Sequence, residues 1–374
     1  MRGALAAAAS AVVAVGTVAG LVSALDGGRG EADEARPTVS ETPSLRPLPA
    51  VPSPSATNNS PSPSKSSKPK PRKTAPARPK PSNTAPAASG LYRYGDSQVL
   101  DWVRANRSDP RRPLIESRIA NRPAAVWFAD YMPATITARV RAVTSAGARA
   151  GQVPVLVPYA VPDRDCGGRS EGGAPDLDAY GDWIEGFARG LGSREVIVIL
   201  EPDALSQTEC LSKSRQADRY EALAHAGRAL KSANPRARVY YDAGHSAWNP
   251  AATQAARLRA AGAASAASSD GVFTNVSNFH RTPDEIAYAR KVLAAMGGPS
   301  GLGAVIDTSR NGNGAPADGE WCDPEGRELG RAPTLRTGEA RIDAYLWVKL
   351  PGESDGCKGE PGRFTADYAY ELAD

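Results

Sequence analysis

Ile199-Leu200-Glu201-Pro202-Asp203-Ala204-Leu205 is the stretch on which the fold turns. An apolar, β-branched run over Glu195–Leu200 stops abruptly at a carboxylate, a proline and a second carboxylate. A strand covered on both faces reads as such an unbroken apolar run, and its end is where a parallel sheet presents polar side chains. Outward from this stretch the same pattern recurs, at intervals of roughly 30 to 45 residues, over Ala124–Phe128, Val153–Pro158, Arg238–Tyr241, Gly271–Asn275, Leu302–Ile306 and Ala344–Val348. Amphipathic helices are predicted between them. Leu177, Tyr180, Trp183, Ile184, Phe187 and Leu191 recur at helical spacing, and Thr282-Pro283-Asp284-Glu285 reads as a capping box with Pro at the first helical position. Seven βα units in about 280 residues, without a GxGxxG turn or a Walker loop, predict an α/β, TIM-barrel-like parallel barrel ahead of a nucleotide-binding sheet.

Each run gives way to polar residues. Asp130 comes after the first, Tyr159 and Arg164-Asp165 after the second, Glu201 and Asp203 after the third, Asp242 and His245 after the fourth. Ser277, Asn278 and His280 come after the fifth, Asp307, Ser309, Arg310 and Asn311 after the sixth, and Lys349, Glu353 and Asp355 after the last. A ring of carboxylates at one barrel mouth suits acid/base hydrolysis or a divalent metal. Trp127, Trp248 and Trp321, three of the six tryptophans, fall beside the same mouth, where indole faces stack on sugar rings. Trp102, Trp183 and Trp347 fit the core. Among three histidines, His225 sits on a predicted helix away from the mouth, and no HExxH is present, so no metal or cofactor is expected. GxSxG is absent, which removes a serine nucleophile. Glycoside hydrolysis needs a proton for the leaving oxygen, and a carboxyl kept protonated by burial and a like-charged neighbour supplies it; Asp165 is placed to do this to Asp203.

The remaining sequence frames this domain. Residues 1–25 carry Arg2, an uncharged apolar run and Val22-Ser23-Ala24, which reads as an export signal; roughly twenty apolar residues would also suit an uncleaved membrane anchor. Residues 26–90 hold 14 of the 32 prolines, with Ser and Lys, and cannot build a core, so they are expected to form a disordered, extended linker. Its Lys65–Lys80 cluster reads as a solubilising charge, and it implies no nucleic-acid partner. Cys166, Cys210, Cys322 and Cys357 all fall in residues 91–374, the expected catalytic domain. Behind an export signal they predict two disulfides in a secreted monomer, and spacing alone leaves three pairings open.

Seven segments in this order closely resemble glycoside hydrolase family 6, the cellulases that include endoglucanases and cellobiohydrolases. They are Tyr159–Cys166, Ile199–Leu205, Asp242–Trp248, Asn275–His280, Asp307–Asn311, Trp321–Pro324 and Leu346–Gly356. The resemblance implies a distorted barrel that cleaves β-1,4-glucan with inversion. It assigns Asp203 as general acid, Asp165 as the neighbour that holds its pKa up and orders the water, Tyr159 as the residue favouring sugar distortion and Asp355 as the family's proposed base. Trp127, Ser170, Asp242, His245, Asn278, Trp248, Trp321, Lys349 and Glu353 correspond to positions that bind substrate or its water. The family's disulfides imply Cys166 with Cys210 and Cys322 with Cys357. The short stretch after Asp355 suits an open cleft and internal cutting, so an endoglucanase is expected ahead of a cellobiohydrolase, with a non-catalytic glucan-binding protein as the reading from another class.

Overall fold

The computed structural model describes residues 90–374; the export segment and the linker with its basic cluster, residues 1–89, lie outside the described residues. Seven strands form one sheet in chain order, every neighbouring pair parallel: β1 (Val126–Phe128), β2 (Val155–Pro158), β3 (Val196–Leu200), β4 (Ala237–Asp242), β5 (Gly271–Thr274), β6 (Gly303–Asp307) and β7 (Ile342–Leu346). The sheet curls on itself into the expected distorted barrel. Its two edges are not paired as strands: one backbone bond from Ala125 N to Trp347 O (2.9 Å) and the Trp127 indole donating to Val348 O (2.8 Å) span β1 and the end of β7.

Alternation along the strands builds the two cores. Val196, Val198 and Leu200 of β3 pack outward under the helices, and Ile197 and Ile199 point inward with Val155, Val157, Tyr240, Phe273 and Val305. All five β3 residues are buried, as the unbroken apolar run required. The helices around the sheet are α3 (Ile136–Ala150), α4 (Leu177–Arg189), α5 (Lys213–Ala233), α6 (Ala251–Ala260) and α7 (Thr282–Met296). Asp176 caps α4 by accepting the Ala179 amide at 2.8 Å. A third cluster covers the seam, where α1 (Gln98–Ala105), α2 (Arg112–Ile115) and α8 (Ala366–Ala373) bring Val99, Val103, Ile115 and Ala369 onto Trp347 and Leu350.

Two expectations are corrected. The last strand starts and stops two residues earlier than Ala344–Val348, because Trp347 and Val348 leave the ladder to make the seam and the Val348 amide turns to Asp307 Oδ1 (3.3 Å). The capping box at Thr282 does not form. Arg281 precedes the helix, Thr282 Oγ1 accepts from Asn311 (3.1 Å), and the Glu285 carboxylate is buried against the Ser246 amide (2.8 Å) rather than turned back on its own helix.

Candidate active site

The loops after the strands carry the strain of the molecule. Nine described non-glycine residues have positive φ, and all but Arg341 lie in these loops: Asp163, Asp165 and Cys166 after β2, Glu201 and Asp203 after β3, Asn275 and Ser277 after β5, and Asp323 after β6. Such conformations cost about 1–3 kcal/mol each and persist only where surrounding contacts fix them. Here the contacts are carboxylates gripping main-chain amides.

Asp242, at the end of β4, accepts the amides of Leu205 (3.1 Å) and Ser206 (2.8 Å) on one oxygen and Gly244 (2.8 Å) on the other. It thereby holds the turn that presents Asp203. Gly244 has φ 65° and a side chain there would strike Ser206 Oγ at 2.6 Å, so only glycine lets the β4 loop close over the β3 loop. Asp242 is 1 % exposed. The residue expected at a substrate-binding position is thus engaged with main-chain amides beneath the turn that presents Asp203.

Asp203 differs from its neighbours. Among the described residues nothing hydrogen-bonds its carboxyl, which is half-buried at the strand mouth. Burial pushes its pKa well above the usual carboxylate range, and the charges of Asp242, Asp165 and Asp355 push it further. Asp165, also half-buried, accepts the Ser170 amide on Oδ2 at 2.7 Å. Ser170 thus meets Asp165 through its backbone. Tyr159 is buried beside them, its ring edge-on to Trp127 (5.4 Å between centroids) and under the Arg164 guanidinium (4.4 Å). Burial and the charges of Asp203 and Asp165 raise its phenol well above the ordinary value.

Asp355 stands across the cleft in an ion-pair network. Arg310 donates to both its oxygens (2.8 and 3.1 Å), Lys349 Nζ lies 3.2 Å from Oδ1, and the Asp323 amide donates to Oδ2 at 3.2 Å. A carboxylate offers about four lone-pair sites, and these four donors take them. Lys349 Nζ also donates to Ser354 O (3.0 Å) and is 8 % exposed with its residue, so it serves Asp355 first. Asp307 ties the same region together, accepting the amides of Ser309 (2.9 Å), Lys349 (3.0 Å), Val348 and Ser277 (both 3.3 Å). Glu353 is half-buried, held by Gln98 at 3.1 Å, and burial raises its carboxyl to about 7 against the pull of Lys349.

Aromatic rings gather after β4 and β5. His245 stacks on His280 with ring centroids 4.1 Å apart and lies 5.3 Å from Trp248. The Ala247 amide donates to His245 Nδ1 (3.3 Å), which fixes the tautomer that carries its proton on Nε2. Burial, and then His280, lower its pKa to about 3. Asn278 is half-buried, with Nδ2 on Val276 O at 3.1 Å. Trp321 is 54 % exposed in the loop after β6, a large apolar face left open to a ligand. Asp130 is exposed with Arg139 3.8 Å away, and His225 pairs with Glu185 on the outer helices, so neither joins the site.

Both disulfides pair as expected, Cys166 with Cys210 and Cys322 with Cys357, and pin the two loops that carry Asp165 and Asp355. With separations of 44 and 35 residues, each contributes about 4 kcal/mol on the chain-entropy account. Sequence reading passed over Arg310 and Asp323 as determinants of the site, although both fall inside motifs that it singled out.

Residues 91–373 match the family described as Glycosyl hydrolases family 6. The chain is 54% identical to Endoglucanase 1 of Streptomyces sp. (strain KSM-9) over 76% of its own length and 77% of that protein. It is 52% identical to Endoglucanase A of Thermobispora bispora over 76% of its length and 62% of the relative's. An endoglucanase from Mycobacterium tuberculosis, solved with methyl-cellobiosyl-4-deoxy-4-thio-β-D-cellobioside, superimposes with a TM-score of 0.71 at 40% identity, covering 77% of this chain and 97% of that one. Fold, order of motifs and relatives agree, and the chain belongs to glycosyl hydrolases family 6.

Proposed function

We propose that the protein is an endo-β-1,4-glucanase that works with inversion, Asp203 giving its proton to the departing sugar. The observation that carries this reading is the contrast among four aspartates at one mouth: Asp242, Asp165 and Asp355 give oxygens to protein donors, and Asp203 gives none. A general acid must hold its proton at neutral pH and release it to substrate, which requires a raised pKa and a carboxyl not already engaged. The attacking water is ordered by Asp165 and the backbone about Ser170. Asp355 would have to release a donor before it took a proton, so the water's proton leaves through further water, and Asp355 with Arg310 and Lys349 balances charge at the cleft.

Trp127, Trp248 and Trp321 supply sugar-stacking faces, His245 Nε2–H and Asn278 supply polar contacts, and Tyr159 crowds the ring at the cleavage point. Internal cutting is supported by the relatives, which are named endoglucanases at 54% and 52% identity. Residues 91–374 form the catalytic domain, and the two disulfides support function in an oxidising compartment outside the cell.

The test is proton NMR of the anomer first released from a soluble cello-oligosaccharide, with the protein and its Asp203→Ala variant. The α-anomer from the protein and silence from the variant are expected. A β-anomer would overturn inversion, and a variant that cleaves at a rate near the protein's own would overturn the acid.

A further inference from the structure

The loop that carries Asp165 leaves β2 through four residues whose main chain is gripped by two buried side chains, a carboxyl and a guanidinium. Glu201, 0 % exposed, accepts the amides of Ala160 (2.8 Å) and Val161 (3.0 Å) on Oε2. Arg219, on the inner face of α5 and 2 % exposed, donates from Nη2 to the carbonyls of Pro162 (2.6 Å) and Asp163 (3.1 Å). Amide, amide, carbonyl, carbonyl: each of residues 160–163 gives one group to the clamp. From its last residue onward the chain takes a left-handed path, with φ of 52° at Asp163, 57° at Asp165 and 46° at Cys166.

A buried guanidinium is costly, by several kcal/mol of desolvation, and is normally matched by a carboxylate within contact. Arg219 instead places its donors on two loop carbonyls. Burial lowers its pKa from the ordinary guanidinium value, and the charges of Asp163 and Glu201 oppose that fall. A residue needed only to fill space under a surface loop would be aliphatic. Other ties hold other parts of the loop: the exposed Arg215–Asp163 ion pair is worth under about 1 kcal/mol, the Cys166–Cys210 disulfide lies past Asp165, and buried Arg164 fastens the loop's far side to the end of β1, donating to Ser170 O (2.9 Å) and Ala129 O (2.7 Å).

We propose that Arg219 is a positioning residue for the reaction: by holding the Pro162 and Asp163 carbonyls against the amides held by Glu201, it sets where the Asp165 carboxylate stands relative to Asp203. The inference rests on the reading of Asp165 as the neighbour that keeps Asp203 protonated. It places a determinant of the acid's behaviour on a helix outside the cleft, touching neither substrate nor either aspartate's carboxyl.

The experiment measures kcat, KM and the pH profile on an unactivated cello-oligosaccharide for the full protein, Asp165→Ala, Arg219→Met, Arg219→Lys and each Arg219 change combined with Asp165→Ala. A displacement of about 1 Å in a catalytic group costs on the order of 100-fold. Arg219→Met is therefore expected to lower kcat roughly 10- to 100-fold with KM little changed, and to move the alkaline limb to lower pH as Asp165→Ala does. Arg219→Lys, with one cation and fewer donors, recovers part of both. In the double variants the loss does not exceed that of Asp165→Ala alone, since both changes remove the same influence. Thermal melting checks folding, and if Arg219→Met does not fold, the Lys pair of variants carries the same comparison. An unmoved limb in a folded Arg219 variant, or losses that multiply in the double variant, overturns the inference alone. A limb that stays in place in Asp165→Ala overturns the reading of Asp165 and the inference with it.

Discussion

Asp203 and Asp242 are both aspartates at strand ends beside one cleft, and their hydrogen bonds send them to different tasks. Asp242 is held by three amides, and Asp203 is left open with a pKa driven up by burial and by its three neighbours. General acid catalysis contributes about 10²–10⁴-fold. Asp203→Ala is expected to lose about that much on cellulose-type linkages and far less on a dinitrophenyl leaving group, which departs without a proton; initial rates on the two substrates give the comparison, and equal losses would remove the assignment. Asp203 and Asp165 were legible because strand ends and local motifs fix where they stand. The hydrogen-bond partners of Asp242, Ser170 and Asp355 were not. Each of those residues depends on which amide or guanidinium lies opposite, a partner distant in sequence: Leu205 for Asp242, Arg310 for Asp355.

Among the elements, the loop that follows β7, from Ser354 to Lys358, depends on one carboxylate in the loop that precedes it. Asp323, 3 % exposed, accepts Ser354 Oγ (2.6 Å) and the amides of Asp355 (2.7 Å), Lys358 (2.9 Å) and Cys357 (3.0 Å). Burial alone would raise its pKa, but these bonds outweigh it and bring the group down to about 2. A depressed carboxyl stabilises the fold above its ordinary unfolded value near 3.8 and loses that contribution as pH falls through about 2. Asp323→Asn, which leaves buried donors short of acceptors, is expected to cost about 2–4 kcal/mol at pH 7, with the gap to the unmodified protein narrowing between pH 4 and pH 2. Urea unfolding at both ends of that range measures it, and a gap independent of pH would show that the carboxylate's charge is not what counts. Nothing in Trp321-Cys322-Asp323 announces this, since its four donors lie more than thirty residues downstream and only the folded loop brings them together. The expectations of a later β7 and of a capping box at Thr282 failed for a related reason: in both, tertiary partners, the seam and the Ser246 amide, took groups that local pattern had assigned to the element itself.

For the whole molecule, the seven strands and the barrel were readable because parallel strands buried on both faces leave continuous apolar runs that few other structures need. The seam was not readable, because it consists of a backbone bond and an indole bond between residues about 220 apart. Six of the seven gaps around the ring are ladders, and the seventh is that pair of bonds. The protein is in this respect a split collar, with Trp127 on one lip and the Lys349 to Asp355 segment on the other. A rod of sugar laid across the lips is expected to brace the joint, with the energy that braces it drawn from binding. Exchange of the Ala125 amide should therefore slow when a non-hydrolysable cello-oligosaccharide binds, while amides in the β3–β4 ladder hold their rates; a joint indifferent to the rod would mean that the lips are already fixed. A collar fastened at one point grips without a lid. It also has a place to yield, so a chain of any length can be seized in its middle and let go at the same spot.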